Sequence, residues 1–102
     1  MYVAMNRFRV ARGSEAAFEA VWRDRDSHLD GTPGFVEFRM LRGPTTQEAT
    51  LYISQSRWKD ETAFRDWTRS ENFRRAHAKA GSARDLYLGP PVFEGFEVME
   101  GI

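Results

Sequence analysis

The chain contains no cysteine, which excludes disulfides, a thiolate metal site and a cysteine nucleophile. A cytoplasmic protein is the expectation that follows. Neither sign of charge is in excess: fifteen Lys and Arg face fifteen Asp and Glu among 102 residues. Nucleic acids and membrane surfaces select a basic surplus, so neither is expected as a partner. No apolar run approaches the length of a membrane span, and the first residues lack the basic start and apolar core of a secretory signal. No phosphate-cradling loop, acid–base pair or activated nucleophile is visible, and nothing resembles a nicotinamide or flavin site.

What the sequence does have is aromatic rings. Eight Phe, three Trp and three Tyr are many for this length, and they suit either a tight core or a flat apolar ligand. One domain spanning 1–102 is expected, because the chain is long enough for a modest core and too short for a second one.

Residues 2–10 alternate as a strand does. Tyr2, Ala4, Asn6, Phe8 and Val10 share one face, and Val3, Met5, Arg7 and Arg9 share the other. Asn6 interrupts the more apolar face, so its amide must bond to backbone, to water or to a ligand. Ser14 is placed to cap the helix that follows, with Glu15 and Glu19 early in it. On that helix Phe18, Val21, Trp22 and Arg25 form a stripe that Leu29 continues. Arg25 is its odd member. An arginine there either lays its stem on the core and sends its head to water, or holds a carboxylate at a pocket mouth. His28, between Asp26 and Asp30, reads as a solvated surface residue, and residues 30–34 read as a turn.

A second strand is expected over 35–41, where Val36, Phe38 and Met40 alternate with Phe35, Glu37, Arg39 and Leu41. A hairpin loop over 43–48 leads to a third strand over 49–58, with Leu51 and Ile53 on one face and Tyr52 and Trp58 on the other. Asp60 caps a helix carrying Ala63, Phe64 and Trp67 on one side, and Ser70 caps the next, with Glu71 in its first turn. There Phe73, Ala76, His77 and Ala80 fall on one stripe. A histidine in that place is either a satisfied core residue or an imidazole with one nitrogen bonded and the other free for a metal. Residues 81–91 form a long connection of the kind used as lids or binding loops, and a fourth strand closes the chain over 92–99.

Strand, helix, two strands, helix, strand is the order of the split β-α-β module. The expected fold is therefore α+β and ferredoxin-like, with an antiparallel sheet. Helices of that module cover one face of the sheet, while these strands carry apolar residues on both. A two-fold homodimer, giving a dimeric α+β barrel, is the simplest closure.

The pair Asn6-Arg7, the helical Ala63-Phe64-Arg65-Asp66-Trp67 and the following Phe73-Arg74-Arg75-Ala76-His77 resemble the IsdG-type haem-degrading monooxygenases of the antibiotic biosynthesis monooxygenase superfamily. Pro33-Gly34-Phe35 and residues 58–64 fit the wider superfamily, and Trp22 stands where the family often has phenylalanine. The resemblance implies haem as both substrate and cofactor, O2 and an external electron donor from a separate reductase or small reductant, and a bilin-type product with iron released. It implies His77 as the ligand of the haem iron, with Asn6 on the opposite side donating a hydrogen bond to oxygen held there. Trp67 would crowd and ruffle the macrocycle, Trp22 and Phe64 would wall it, and Arg25 would pair with a propionate. Two other classes stay open. One is a cofactor-independent monooxygenase of the same superfamily acting on an aromatic substrate; the other is a non-catalytic haem-binding protein.

Overall fold

The computed structural model describes residues 1–25, 27–77 and 85–102. Its elements run β1 (Tyr2–Ala11), α1 (Glu15–Asp24), β2 (Phe35–Thr45), β3 (Ala49–Trp58), α2 (Glu61–Thr68), α3 (Glu71–His77) and β4 (Val92–Glu97). The four strands form one antiparallel sheet in the order β2-β3-β1-β4. The α1 crossover thus joins β1 to β2 with β3 between them, which is the split β-α-β arrangement. The fold is ferredoxin-like and α+β, as the sequence predicts.

Local chemistry accounts for most element boundaries. The Asp60 carboxylate accepts from the Ala63 backbone N–H at 2.8 Å, and the Ser70 hydroxyl from that of Phe73 at 3.1 Å, so both expected caps form. Ser14 makes no such bond. The Glu15 carboxylate takes the Gly13 N–H at 2.7 Å in its place. The Phe18 stripe also ends earlier than its periodicity suggests. α1 stops at Asp24, and Arg25 is already extended at φ −78°, ψ 143°. Val21, within α1, is exposed, while Leu29 reaches the core from irregular chain. His28, expected to be solvated, is half-buried in a left-handed conformation at φ 56°. Asp26, Ala80 and residues 81–84 of the 81–91 connection lie outside the described residues.

In the hairpin, β2 continues through Thr45, well beyond residue 41, and the turn contracts to residues 46–48. A register shift between Phe35 and Glu37 places Phe35 opposite Trp58 and Phe38 opposite Ser56. That bulge brings Phe35 and Phe38 onto one face, where simple alternation separates them. Gly34, at φ 79°, lets the chain enter β2 directly against α2: a Cβ there would stand 2.4 Å from that of Ala63.

All three helices pack on the same face of the sheet, and the core beneath them is divided. Tyr2, Ala4, Leu29, Trp58, Phe64 and Trp67 form one buried cluster, and Phe8, Val10, Phe18 and Tyr52 another. Each large side chain so buried contributes roughly 1.5–3 kcal/mol. Along the inner face of β1 the residue between the clusters is Asn6; along that of β3 the residues between them are Ser54 and Ser56. The core parts where the polar side chains stand.

Candidate functional site

At that parting a cavity of about 520 Å³ lies between sheet and helices, within the roughly 300–1,000 Å³ range of small-molecule sites. Asn6, Trp22, Arg25, Phe64, Trp67 and His77 all line it. The six residues singled out from the sequence come from four different segments, and the fold brings them to one place. A second hollow of about 420 Å³, between the 30–34 turn and the outer side of α2, includes only Trp67 of the six.

His77 occupies the last position of α3, and its ring is half-buried. Its Nδ1 lies 2.8 Å from the carbonyl oxygen of Phe73, one turn back, and its ring stacks on that of Phe73 with centroids 4.0 Å apart. A carbonyl only accepts, so Nδ1 carries the proton and Nε2 keeps its lone pair. Burial pushes the pKa of His77 below the ordinary value, and the Arg25 guanidinium pushes the same way against the Phe73 carbonyl. The imidazole is therefore neutral at neutral pH, with one nitrogen available as a metal ligand.

Trp67 stands over this pair. Its ring meets Phe73 edge-on at 4.8 Å and 88°, with His77 6.0 Å away and Trp58 behind it at 5.5 Å. The Trp67 indole N–H is buried without an acceptor. Phe64 stacks on Phe93 at 5.6 Å and 5°. On the other side Trp22 stacks on Phe38 at 6.0 Å and 12°, and meets Phe8 edge-on. These rings leave a flat-walled apolar slot.

Two polar groups enter it without partners. The Arg25 guanidinium lies 4.3 Å from the Trp22 ring centroid, and its Nε is buried with no acceptor. Burial lowers its pKa, although Tyr87 works in the opposite direction. Its head is held in the cavity wall and is positioned for an incoming anion. The Asn6 side chain, half-buried at the sheet wall, makes no hydrogen bond among the described residues. Its amide makes no bond to the backbone of the described residues.

Ser54, Ser56, Phe38, Phe73 and Phe93 also line the cavity, and the sequence reading passed over them as site residues. The serines had a signal: they stand consecutively between Tyr52 and Trp58 on one strand face. Phe38 had none, because the bulge after Phe35 decides what it faces. A flat macrocycle with an iron centre and carboxylate arms fits this donor set. The slot offers aromatic walls, an imidazole with Nε2 unbonded, a guanidinium whose Nε lacks an acceptor and an amide without a hydrogen bond, all among the described residues.

Residues 1–79 match the family model described as antibiotic biosynthesis monooxygenase. A protein of Shouchella clausii named "Heme-degrading monooxygenase" is 29% identical over 69 residues, covering 68% of this chain and 64% of its own length. Among solved structures, SnoaB from Streptomyces nogalater (N63A mutant), described as a cofactor-independent oxygenase, superposes with a TM-score of 0.72. It is 26% identical, over 99% of this chain and 95% of its own. MhuD from Mycobacterium tuberculosis, a heme-degrader with two hemes bound in its active site, superposes with a TM-score of 0.73. It is 25% identical, over 100% of this chain and 99% of its own.

Proposed function

Because the chain belongs to the antibiotic biosynthesis monooxygenase family, we propose that it is an IsdG-type haem-degrading monooxygenase. It takes haem as substrate and cofactor, uses O2 and an external electron donor, and releases iron with a bilin-type product. The observation that carries this reading is His77, a neutral imidazole in an aromatic slot with Nδ1 committed to Phe73 and Nε2 free. The relative named for heme degradation and the heme-bound MhuD support it.

Haem in the slot would supply the activation of dioxygen and would itself be the macrocycle that is cut. His77 Nε2 would hold its iron, and the Phe73 carbonyl fixes the tautomer and the ring plane. Arg25 would pair with a propionate, which would give its orphaned Nε an acceptor and offset the burial that disfavours its charge. Phe64, Trp22 and Phe38 would wall the macrocycle. Trp67, braced by Trp58 and Phe73, would crowd it. Asn6, at the sheet wall of the cavity, would donate a hydrogen bond from its amide to oxygen held there.

Electrons come from a separate reductase or a small reductant, since no recognisable nicotinamide or flavin motif stands in the sequence. The whole of 1–102 acts as one domain, and two copies pair through the helix-free sheet face. Leu41, Val92 and Phe96 present side chains there that are 39%, 56% and 47% exposed, interrupted by the Arg7–Glu94 ion pair, and exposed apolar side chains beside a paired charge suit a second protein surface. A cytoplasmic site suits a chain without cysteine, and no described helix is long and apolar enough to cross a membrane.

The test is a hemin titration of the purified protein followed by ascorbate in air. A Soret band that then bleaches is the expected result. A protein that yields no Soret band is instead a cofactor-independent oxygenase, the reading favoured by the likeness to SnoaB. A stable Soret band under ascorbate identifies a haem-binding protein without turnover.

A further inference from the structure

Across the inner face of the sheet one row of residues runs Met40, Ser54, Asn6, Phe93, each opposite the next in register. The two in the middle are polar, they line the cavity, and they sit where the core divides. Opposed residues in an antiparallel pair place their Cβ atoms about 4.5–5.5 Å apart. The Ser54 hydroxyl and the Asn6 amide are therefore neighbours at one spot on the cavity wall.

The two serines of β3 differ in what they do. The Ser56 hydroxyl accepts from the indole N–H of the fully buried Trp58 at 2.9 Å, so it satisfies a core donor. Ser54 has only 5% of its surface exposed, and its hydroxyl makes no hydrogen bond among the described residues. Its oxygen is not among the buried side-chain atoms left without a partner, so it opens on the cavity and is not sealed in the packed core. The structure thus retains at 54 a donor that the fold does not use, beside a second unused donor at Asn6.

We propose that Ser54 is a ligand-binding residue of this site, acting with Asn6 as a pair of donors that holds a small acceptor between the sheet wall and the bound macrocycle. A single amide fixes the direction of one hydrogen bond. An amide and a hydroxyl from adjacent strands fix the position of the acceptor, because two donors on a rigid sheet intersect at one point. Met40 and Phe93 flank the pair in register. The inference rests on the haem reading given above.

Fluoride is a suitable probe, since it binds ferric haem and its retention depends on hydrogen-bond donors nearby. Three measurements on Ser54→Ala decide the matter: thermal melting of the apoprotein, hemin affinity from the Soret titration, and fluoride affinity of the ferric hemin complex. The expected result is an apoprotein melting no lower than the wild type, unchanged hemin affinity, and fluoride binding about tenfold weaker, the loss of roughly one hydrogen bond to an anion. Asn6→Ala should weaken fluoride binding to a similar degree, and Ser54→Thr, which keeps the hydroxyl, should restore it. Ser56→Ala serves as the stability comparator and should lower the melting temperature by removing the acceptor of Trp58. A lowered melting point for Ser54→Ala with unchanged fluoride affinity makes the hydroxyl structural and overturns the proposal alone. A wild-type protein that forms no Soret complex overturns the haem reading and this proposal together.

Discussion

The Nδ1 of His77 is 2.8 Å from the carbonyl oxygen of Phe73, and the two rings of the same residues stack at 4.0 Å. A residue and its neighbour one helical turn away thus fix both the tautomer and the plane of the imidazole. The His77 ring needs no other element to orient it, because α3 supplies its own carbonyl. The arrangement leaves Nε2 as the only nitrogen able to accept a metal, and it predicts what His77 and its surroundings should do.

Replacing His77 by alanine should abolish the specific Soret complex or leave a weak one with an altered spectrum. The chain has two histidines, and His28 does not line the cavity. His28→Ala should therefore retain the band. Absorption titration with hemin checks both variants, and the reverse pattern would place the iron elsewhere.

Hemin affinity should depend on pH through the same residue. A proton and the iron compete for Nε2. Burial, with Arg25 adding to it, sets the folded pKa of His77 below the ordinary 6.5. Affinity should be flat from about pH 8 down past the ordinary histidine value, and should fall only as the pH drops through the lowered one. Apoprotein stability follows the same sign. The unfolded chain takes up this proton at higher pH than the folded one, so the contribution of His77 is present above 6.5 and is lost on acidification below it. Affinity that declines already between pH 8 and 7 would place another group in control.

Much of this site was legible in the sequence, for a physical reason. Asn6, Arg25 and His77 are polar residues at apolar positions of regular elements, and periodicity alone exposes such conflicts. Trp67 and Phe64 lie on a helix whose cap, Asp60, is also visible. What stayed hidden depends on departures from regularity. The early stop of α1 at Asp24 sends Arg25 out of helical geometry. The bulge after Phe35 turns Phe38 toward Trp22. Neither follows from side-chain period, because each is set by how the chain must fit tertiary neighbours.

The helix-free sheet face carries the expectation of a homodimer, on a different set of residues from those the strand pattern suggests. Val3 is only 8% exposed, flanked in register by Arg57 and Phe96, and the open apolar surface is that of Leu41, Val92 and Phe96. Phe96→Lys should weaken the pairing with little effect on the inner core. Light scattering across a dilution series checks it. A wild-type monomer at micromolar concentration, equally stable at every dilution, would remove the dimer.

Gly34 should tolerate no side chain. Its φ of 79° is unfavourable for any residue with a Cβ, and the added atom would stand 2.4 Å from the Cβ of Ala63 near the start of α2. The Lys59 N–H also donates to the Gly34 carbonyl at 2.7 Å, so the turn has little freedom to move away. Gly34→Ala should destabilise the fold by about 2–4 kcal/mol, from left-handed strain together with overpacking. Denaturant unfolding of the apoprotein measures it, and a loss below about 1 kcal/mol would mean that the turn relaxes.

Asn6 separates the structural and functional meanings of a buried amide most sharply. Its side chain makes no hydrogen bond among the described residues, so truncation leaves no backbone group unpaired. Asn6→Ala should fold with nearly wild-type stability, where an amide serving the backbone would cost roughly 1–3 kcal/mol to remove. Hemin should still bind, because the imidazole of His77 is untouched. Degradation under ascorbate should nonetheless slow about tenfold or more, the effect of one missing hydrogen bond to a charged group formed during the reaction. Turnover must be expressed per folded, hemin-loaded protein for the comparison to hold. Normal turnover on that basis would take Asn6 out of the reaction, leaving the two unpaired donors of the sheet wall without a shared purpose.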